Sequence, residues 1–105
     1  KFIDTCMCPT DSLKIAATEG AGLAITLMAD QGDDAGDEWK LNIADGGTMT
    51  LGNDINSAGT YVTHLTITPN STVASSTMAF AGSITAGGNS LATASDATAL
   101  AIALG

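Results

Sequence analysis

The chain has few of the residues that usually hold a small domain together. Its 105 residues include two cysteines, one tryptophan, one tyrosine and two phenylalanines. Two cysteines exclude a disulfide framework, and so few bulky side chains build only a thin hydrophobic core. We therefore expect a single domain, or a fragment of a longer chain, that gains its stability by assembling with other copies of itself.

Basic residues are equally scarce, with three Lys and Arg against eleven Asp and Glu and a net charge of −8. Nucleic acids and anionic membrane surfaces are themselves negative, so neither is an expected partner. No apolar run approaches the roughly 18 residues of a membrane-spanning helix, so we expect a soluble protein. The acidity suits solubility at high copy number or the binding of divalent cations.

The stretch from Leu23 to Ala44 organises the rest of the chain. Two runs alternate large apolar residues with small or polar ones, as half-buried strands do, and an acidic loop separates them. We predict that the apolar positions of both runs, and those of a strand at Tyr61–Thr68, form an interior shared between chains. The members of this predicted oligomer core are Leu23, Ile25, Leu27, Trp39, Leu41, Ile43, Leu65 and Ile67.

Turn residues punctuate the remainder at short intervals. Shorter candidate strands occur at residues 12–18, 48–51, 72–80 and 83–86. Asp45-Gly46-Gly47 predicts a hairpin turn, and Gly87-Gly88-Asn89 predicts another turn. Residues 98–104 alternate as a strand does, although their alanine and leucine content equally suits a helix. The pattern predicts an all-β fold of short antiparallel strands, with an extended N-terminal segment at 1–12 and a β-rich module at 13–105.

The acidic loop is a candidate metal site. Its carboxylates belong to Asp30, Asp33, Asp34, Asp37 and Glu38. Calcium takes about six to eight oxygen ligands, often from such side chains. The spacing differs from that of the EF-hand loop, and the simpler interpretation is a solvated turn whose aspartates accept backbone hydrogen bonds.

Other candidates for chemistry have plain structural explanations. Cys6 and Cys8 lie on one face of an extended segment, where two thiols rarely join each other and form half a zinc site at best. We interpret them as free or buried thiols, with a bridge to another chain as the alternative. His64, the only histidine, is placed by alternation on the face opposite Leu65, either as a solvated side chain or as a ligand or pH-sensitive interface group.

No catalytic residue is predicted. The chain has no G-x-S-x-G sequence in which a serine would be exposed as a nucleophile. Trp39 alternates with apolar Leu41 and Ile43, which favours a core anchor over a platform for stacking sugars. We therefore predict that the protein is not an enzyme.

Residues 25–51 carry a likeness to a known class of proteins. The segment contains L-x-A-D-x-G-D-D-x-x-D-x-W, followed by a hydrophobic alternation and a glycine-rich turn. This pattern resembles repeat modules in tail-fibre and other receptor-binding structural proteins of marine and freshwater bacteriophages. The matching residues are Leu27, Ala29, Asp30, Gly32, Asp33, Asp34, Asp37 and Trp39.

The resemblance implies an elongated, β-rich homotrimer, intertwined or side by side, on the tail or capsid exterior of a virion. Its partners would be sister copies, other virion structural proteins and a host-surface glycan, and it implies no catalytic residue or cofactor. Two alternatives stay open. One is a capsid decoration protein or extracellular filament subunit, joined by a strand such as residues 98–104. The other is a calcium-dependent glycan-binding module that uses the acidic loop.

Overall fold

The computed structural model describes residues 12–91, which form an open antiparallel sheet and a small hairpin. The five strands of the sheet lie side by side in chain order. They are β1 (Leu23–Met28), β2 (Glu38–Ile43), β3 (Met49–Asn53), β4 (Val62–Thr68) and β5 (Thr77–Phe80). A two-stranded hairpin follows, formed by β6 (Thr85–Ala86) and β7 (Asn89–Ser90). The all-β prediction is confirmed for this part of the chain.

The turn between β2 and β3 forms where the sequence predicts it. Gly46 and Gly47 have φ values of 105° and 97°, which only glycine adopts readily, and the amide of Gly47 donates to the carbonyl of Ala44 over 2.9 Å. The turn joins strands that pair in register from Ile43 with Met49 to Trp39 with Asn53. Local turn chemistry therefore fixes the register at the centre of the sheet.

Two of the predicted strands differ in the structure. Residues 12–18 alternate but form no strand, since they pair with no other segment in the described part of the chain. The predicted strand at 72–80 begins as a 3-10 turn at Val73–Ser75, and β5 starts only at Thr77. Asn70 causes this delay, because its side chain accepts from the amide of Thr72 over 2.8 Å and holds the chain in a turn.

The pairing register divides the sheet into an apolar and a polar face. Partners across the sheet share a face, so the alternation of each strand adds to that of its neighbours. The apolar face, as we call it, consists of Leu23, Ile25, Leu27, Trp39, Leu41, Ile43, Met49, Leu51, Val62, Leu65, Ile67, Met78 and Phe80. The polar face carries mainly threonine, alanine, lysine and asparagine.

This sheet has no second layer within residues 12–91. None of the described hydrophobic side chains is buried, and Leu27, Trp39 and Phe80 are 67%, 41% and 46% exposed. The buried residues of the described chain are Gly52, Asn53 and Asp54. Within residues 12–91, no other segment covers the apolar face.

A β-bulge interrupts the pairing of β3 with β4. Leu51 pairs with Leu65 and Gly52 pairs with Thr63, so His64 is an extra residue between them. An extra residue changes which face the following side chains occupy. The His64 ring lies 5.4 Å from the ring of Trp39, so its predicted position on the polar face is wrong.

Several sequence predictions fall outside the described residues. These are the two thiols Cys6 and Cys8, the N-terminal segment as far as residue 11, and the ambiguous tail at 98–104. Within residues 12–91, no helix is long and apolar enough to cross a membrane.

Candidate functional site

The apolar face extends over all five strands, and no other segment of residues 12–91 packs on it. Its two central rows run across all five strands. One row is Leu23, Ile43, Met49, Ile67 and Met78, and the other is Ile25, Leu41, Leu51, Leu65 and Phe80. With strands about 4.8 Å apart, the face measures roughly 20 Å in each direction, or about 400 Å². The largest apolar patch on a typical monomer is about 300–600 Å² and is often functional, so this face is a candidate interaction surface.

All eight residues of the predicted oligomer core lie on the apolar face. The alternation of β1, β2 and β4 places them there, and the register brings them together. The set also includes Met49, Leu51, Met78 and Phe80, which sequence reasoning left out of the core. Their strands are short, so alternation alone marks them weakly, and the pairing with β2 and β4 reveals them.

One end of the apolar face differs from the rest. There Trp39 pairs with Leu27 on one side and Asn53 on the other, and its ring lies against that of His64 at an interplanar angle of 39°. Aromatic rings about 5 Å apart attract each other modestly. This corner therefore combines a large apolar side chain with the only histidine of the sequence.

The polar face is already partnered within the chain. The hydroxyl of Tyr61 donates to the carboxylate of Glu38, and the ammonium of Lys40 lies 4.0 Å from the centre of the Tyr61 ring. The Glu38 hydrogen bond, with desolvation as a second cause, raises the pKa of Tyr61 above its ordinary value. These contacts leave the polar face less in need of a covering partner than the apolar one.

The loop between β1 and β2 gathers four of the five predicted metal ligands. Carboxylate oxygens of Asp30, Asp33, Asp34 and Asp37 lie within 4.8 Å of one another, and three of the four residues are exposed. Such a group can accept a cation. It can also form a solvated turn, in which the amide of Asp34 donates to the carboxylate of Asp37 over 3.1 Å. Glu38 is not in the cluster and binds Tyr61 instead.

Asp54 connects three backbone amides through its carboxylate, and the sequence analysis did not identify it. Its side chain is fully buried and accepts hydrogen bonds from the amides of Gly59, Gly36 and Glu38 over 2.8, 3.0 and 3.1 Å. The Gly59 bond is the largest cause of a lowered pKa for Asp54, partly offset by desolvation, with Glu38 and Gly36 adding to it. Asp54 thereby ties the loop after β3 to the acidic loop.

Asn53 completes this connection from the other direction. Its side-chain amide donates to the carbonyls of Gly36 and Glu38 over 3.1 and 3.0 Å. Asn and Asp are frequent in turns because they bond nearby backbone, which is the only indication in the sequence. The actual partners lie 15 to 18 residues away for Gly36 and Glu38, beyond what local patterns predict.

Comparison with protein-family models, curated proteins and solved structures finds no match to this chain.

Proposed function

We propose that this chain is a structural module of a homo-oligomeric fibre or spike on the exterior of a virion, and that it serves host attachment. The observation that supports assembly is the uncovered apolar face, together with the absence of a buried hydrophobic side chain in residues 12–91. The virion and host-attachment parts of the proposal rest on the likeness of residues 25–51 to phage fibre modules.

The chemistry of the apolar face favours a sister copy as its cover. No position of the face carries a charge, whereas the chain as a whole has a net charge of −8. Two such faces meet without opposing charges, and the acidic loops remain in water. Burying about 400 Å² at about 25 cal/mol per Å² contributes roughly 10 kcal/mol for each copy.

This magnitude favours a closed assembly. Association costs roughly 4–15 kcal/mol in lost freedom, so one partly covered face barely offsets the cost. A threefold arrangement, as in the fibre modules that the sequence resembles, lets each apolar face meet two others around a shared axis. We propose this homotrimer as the working form.

A pair of substitutions on β3 tests the proposal. Leu51→Asp puts a charge in the middle of the apolar face, whereas Thr50→Asp puts the same charge on the same strand facing the other way. By light scattering, we expect wild type and Thr50→Asp at three times the 10.4 kDa chain mass, and Leu51→Asp at the mass of one chain. A wild-type monomer that melts cooperatively at low concentration would overturn the proposal.

The virion location needs its own experiment. Antibodies against the chain are expected to label the tail or capsid exterior of particles by electron microscopy. Labelling of host cells or of open-ended filaments, with no labelled particles, would exclude the virion part and leave the assembly part intact.

The filament alternative has one feature in its favour. Within residues 12–91, β1 pairs only with β2, so the outer edge of Leu23–Met28 is free to accept a strand from a neighbour. Electron microscopy distinguishes this alternative: strand exchange yields helical stacks of one repeated subunit, whereas the proposed module yields particles of one size.

The calcium-dependent glycan-binding alternative depends on the aspartate cluster at Asp30–Asp37. Four carboxylates within 4.8 Å repel one another unless water or a cation separates them. Titration calorimetry decides the matter: this alternative requires heat on adding Ca²⁺ that is lost in Asp34→Asn. No heat, and no change in melting temperature with chelator, would remove it.

A further inference from the structure

We infer that His64 makes the assembly of this module depend on pH, with copies associated at neutral pH and separating as the imidazole gains a proton. The inference rests on the proposed function, because it requires sister copies to cover the apolar face. It goes beyond that function by giving the assembly a condition under which it comes apart.

The β-bulge is the reason that His64 belongs to the interface. Regular pairing places even-numbered residues of β4 such as Thr66 on the polar face, beside Thr50. The extra residue at the Leu51–Gly52 step instead lets the imidazole lie 5.4 Å from the ring of Trp39. Both side chains are exposed in the single chain, so a copy that covers Trp39 also covers His64.

Within residues 12–91, the ring of Trp39 is the one neighbour on the apolar face that attracts a charge on His64, through a modest cation–π contact. On each neighbouring strand, the positions of this face hold apolar residues or asparagine. They are Leu27 on β1, Trp39 on β2, Leu51 and Asn53 on β3, and Phe80 on β5. None of these positions carries a carboxylate as a counter-ion, and the cost of enclosing an imidazolium without one exceeds the attraction of the Trp39 ring.

The charged groups of the adjoining strands and loop are engaged elsewhere. Glu38 accepts the hydroxyl of Tyr61, and Lys40 lies over the ring of the same tyrosine on the polar face. Asp54 is held by three backbone amides. The remaining carboxylates cluster with one another in the loop between β1 and β2, and they belong to Asp30, Asp33, Asp34 and Asp37. None of these groups therefore pairs with His64 within residues 12–91, and the neutral imidazole is the form that the covered face accommodates.

The expected effect follows from proton linkage. Histidine in water titrates near pH 6.5, and below that value each pH unit lowers the association constant about tenfold for every histidine that must lose its proton. Three copies give about a thousandfold per pH unit. Overall charge acts in the opposite direction, because one proton changes the net charge of a chain from −8 to −7 and weakens repulsion between copies.

The experiment measures the mass of the full chain by light scattering between pH 5.0 and 7.5 in about 0.15 M salt, where long-range charge effects are screened. We expect wild type to fall from the oligomer to the 10.4 kDa chain mass as the pH decreases. His64→Gln keeps a polar side chain without a titrating group, so it is expected to stay assembled throughout. Adding Thr66→His to His64→Gln returns a histidine to the polar face and should not restore the response.

Four results would overturn the inference: light scattering identifies three of them, and circular dichroism at each pH identifies the fourth, loss of the sheet. Wild type that stays assembled to pH 5.0, or His64→Gln that dissociates as wild type does, removes the role of His64 and leaves the proposed function standing. Loss of mass that accompanies loss of the sheet means unfolding and likewise removes it. Wild type that is monomeric at pH 7.5 removes the proposed function and this inference together.

Discussion

At the acidic end of the sheet, hydrogen bonds from single residues connect two loops. In a domain with a hydrophobic core, packing contacts would hold such loops together. Asp54 and Asn53 are buried, and together they bond the backbone of Gly36 and Glu38 in both directions. A buried carboxylate that satisfies three amides cannot be replaced by a group with fewer acceptors without leaving a donor unpaired. We therefore expect this pair to determine whether the two loops stay together.

Asp54→Asn should lower the melting temperature by about 5–10 °C at neutral pH, because one acceptor oxygen becomes a donor that faces amide hydrogens. The lowered pKa of Asp54 sets the pH dependence: its stabilisation is complete above the ordinary value of 3.8 and is lost as the pH falls through the lower folded value. Thermal melts from pH 2 to 7 measure this loss, which should be smaller in the variant. Asp45→Asn, in the exposed turn after β2, is the matched control, and an equal effect there would contradict the prediction.

At the scale of the strands, one irregularity in β4 changes which side chains lie next to each other. In β4, the bulge brings His64 beside Trp39. On β3, the register shifts at Gly52, which pairs with Thr63. A Cβ atom on Gly52 would lie 3.0 Å from the carbonyl oxygen of Val62, which belongs to the backbone and cannot rotate away. A side chain at this step therefore requires the two strands to shift apart by a few tenths of an ångström.

Gly52→Ala should destabilise the chain by about 1–3 kcal/mol, since β3 and β4 must separate at the bulge to admit the methyl group. Gly82→Ala provides the comparison, because nothing lies within 4 Å of a Cβ atom there. Its effect should stay within about 0.5 kcal/mol. Urea denaturation at one fixed protein concentration measures both changes, and similar values for the two variants would contradict the close approach.

Alternation in the sequence predicts the strands well because it is a local property. The apolar faces of β1 and β2 are predicted from residues 23–28 and 38–43 alone. Gly46 and Gly47 predict the turn that sets the register of β3 against β2. The segment at 12–18 alternates too, yet a strand needs a partner and the sequence cannot show that one is lacking. The bulge at His64 and the bonds of Asp54 depend on residues from other strands, so local patterns did not reveal them.

At the scale of the whole molecule, the chain is extended. Its radius of gyration is 18.9 Å, against about 13 Å for a compact domain of 100 residues. The described residues form one sheet and a small hairpin, with no second layer packed on the sheet, which contributes to the larger radius. The eight apolar residues predicted from the sequence lie on one face of the sheet; that they form an oligomer core buried by sister copies stays a prediction.

Salt should strengthen assembly. Copies with a net charge of −8 repel one another, and raising the ionic strength from about 0.02 to 0.5 M screens this repulsion while leaving apolar contacts intact. Sedimentation over a concentration series should therefore show a tighter oligomer at high salt. An oligomer that weakens with salt would indicate ion pairs between copies in place of the apolar face.

The uncovered face also affects the moments just after synthesis. On the proposed assembly, a newly made copy exposes its apolar face to nonspecific hydrophobic contacts until it binds other copies. During that interval, the aspartates clustered between β1 and β2 repel other acidic chains. We therefore expect that substitution of one of these aspartates lowers the yield of this module more in cells than in dilute solution.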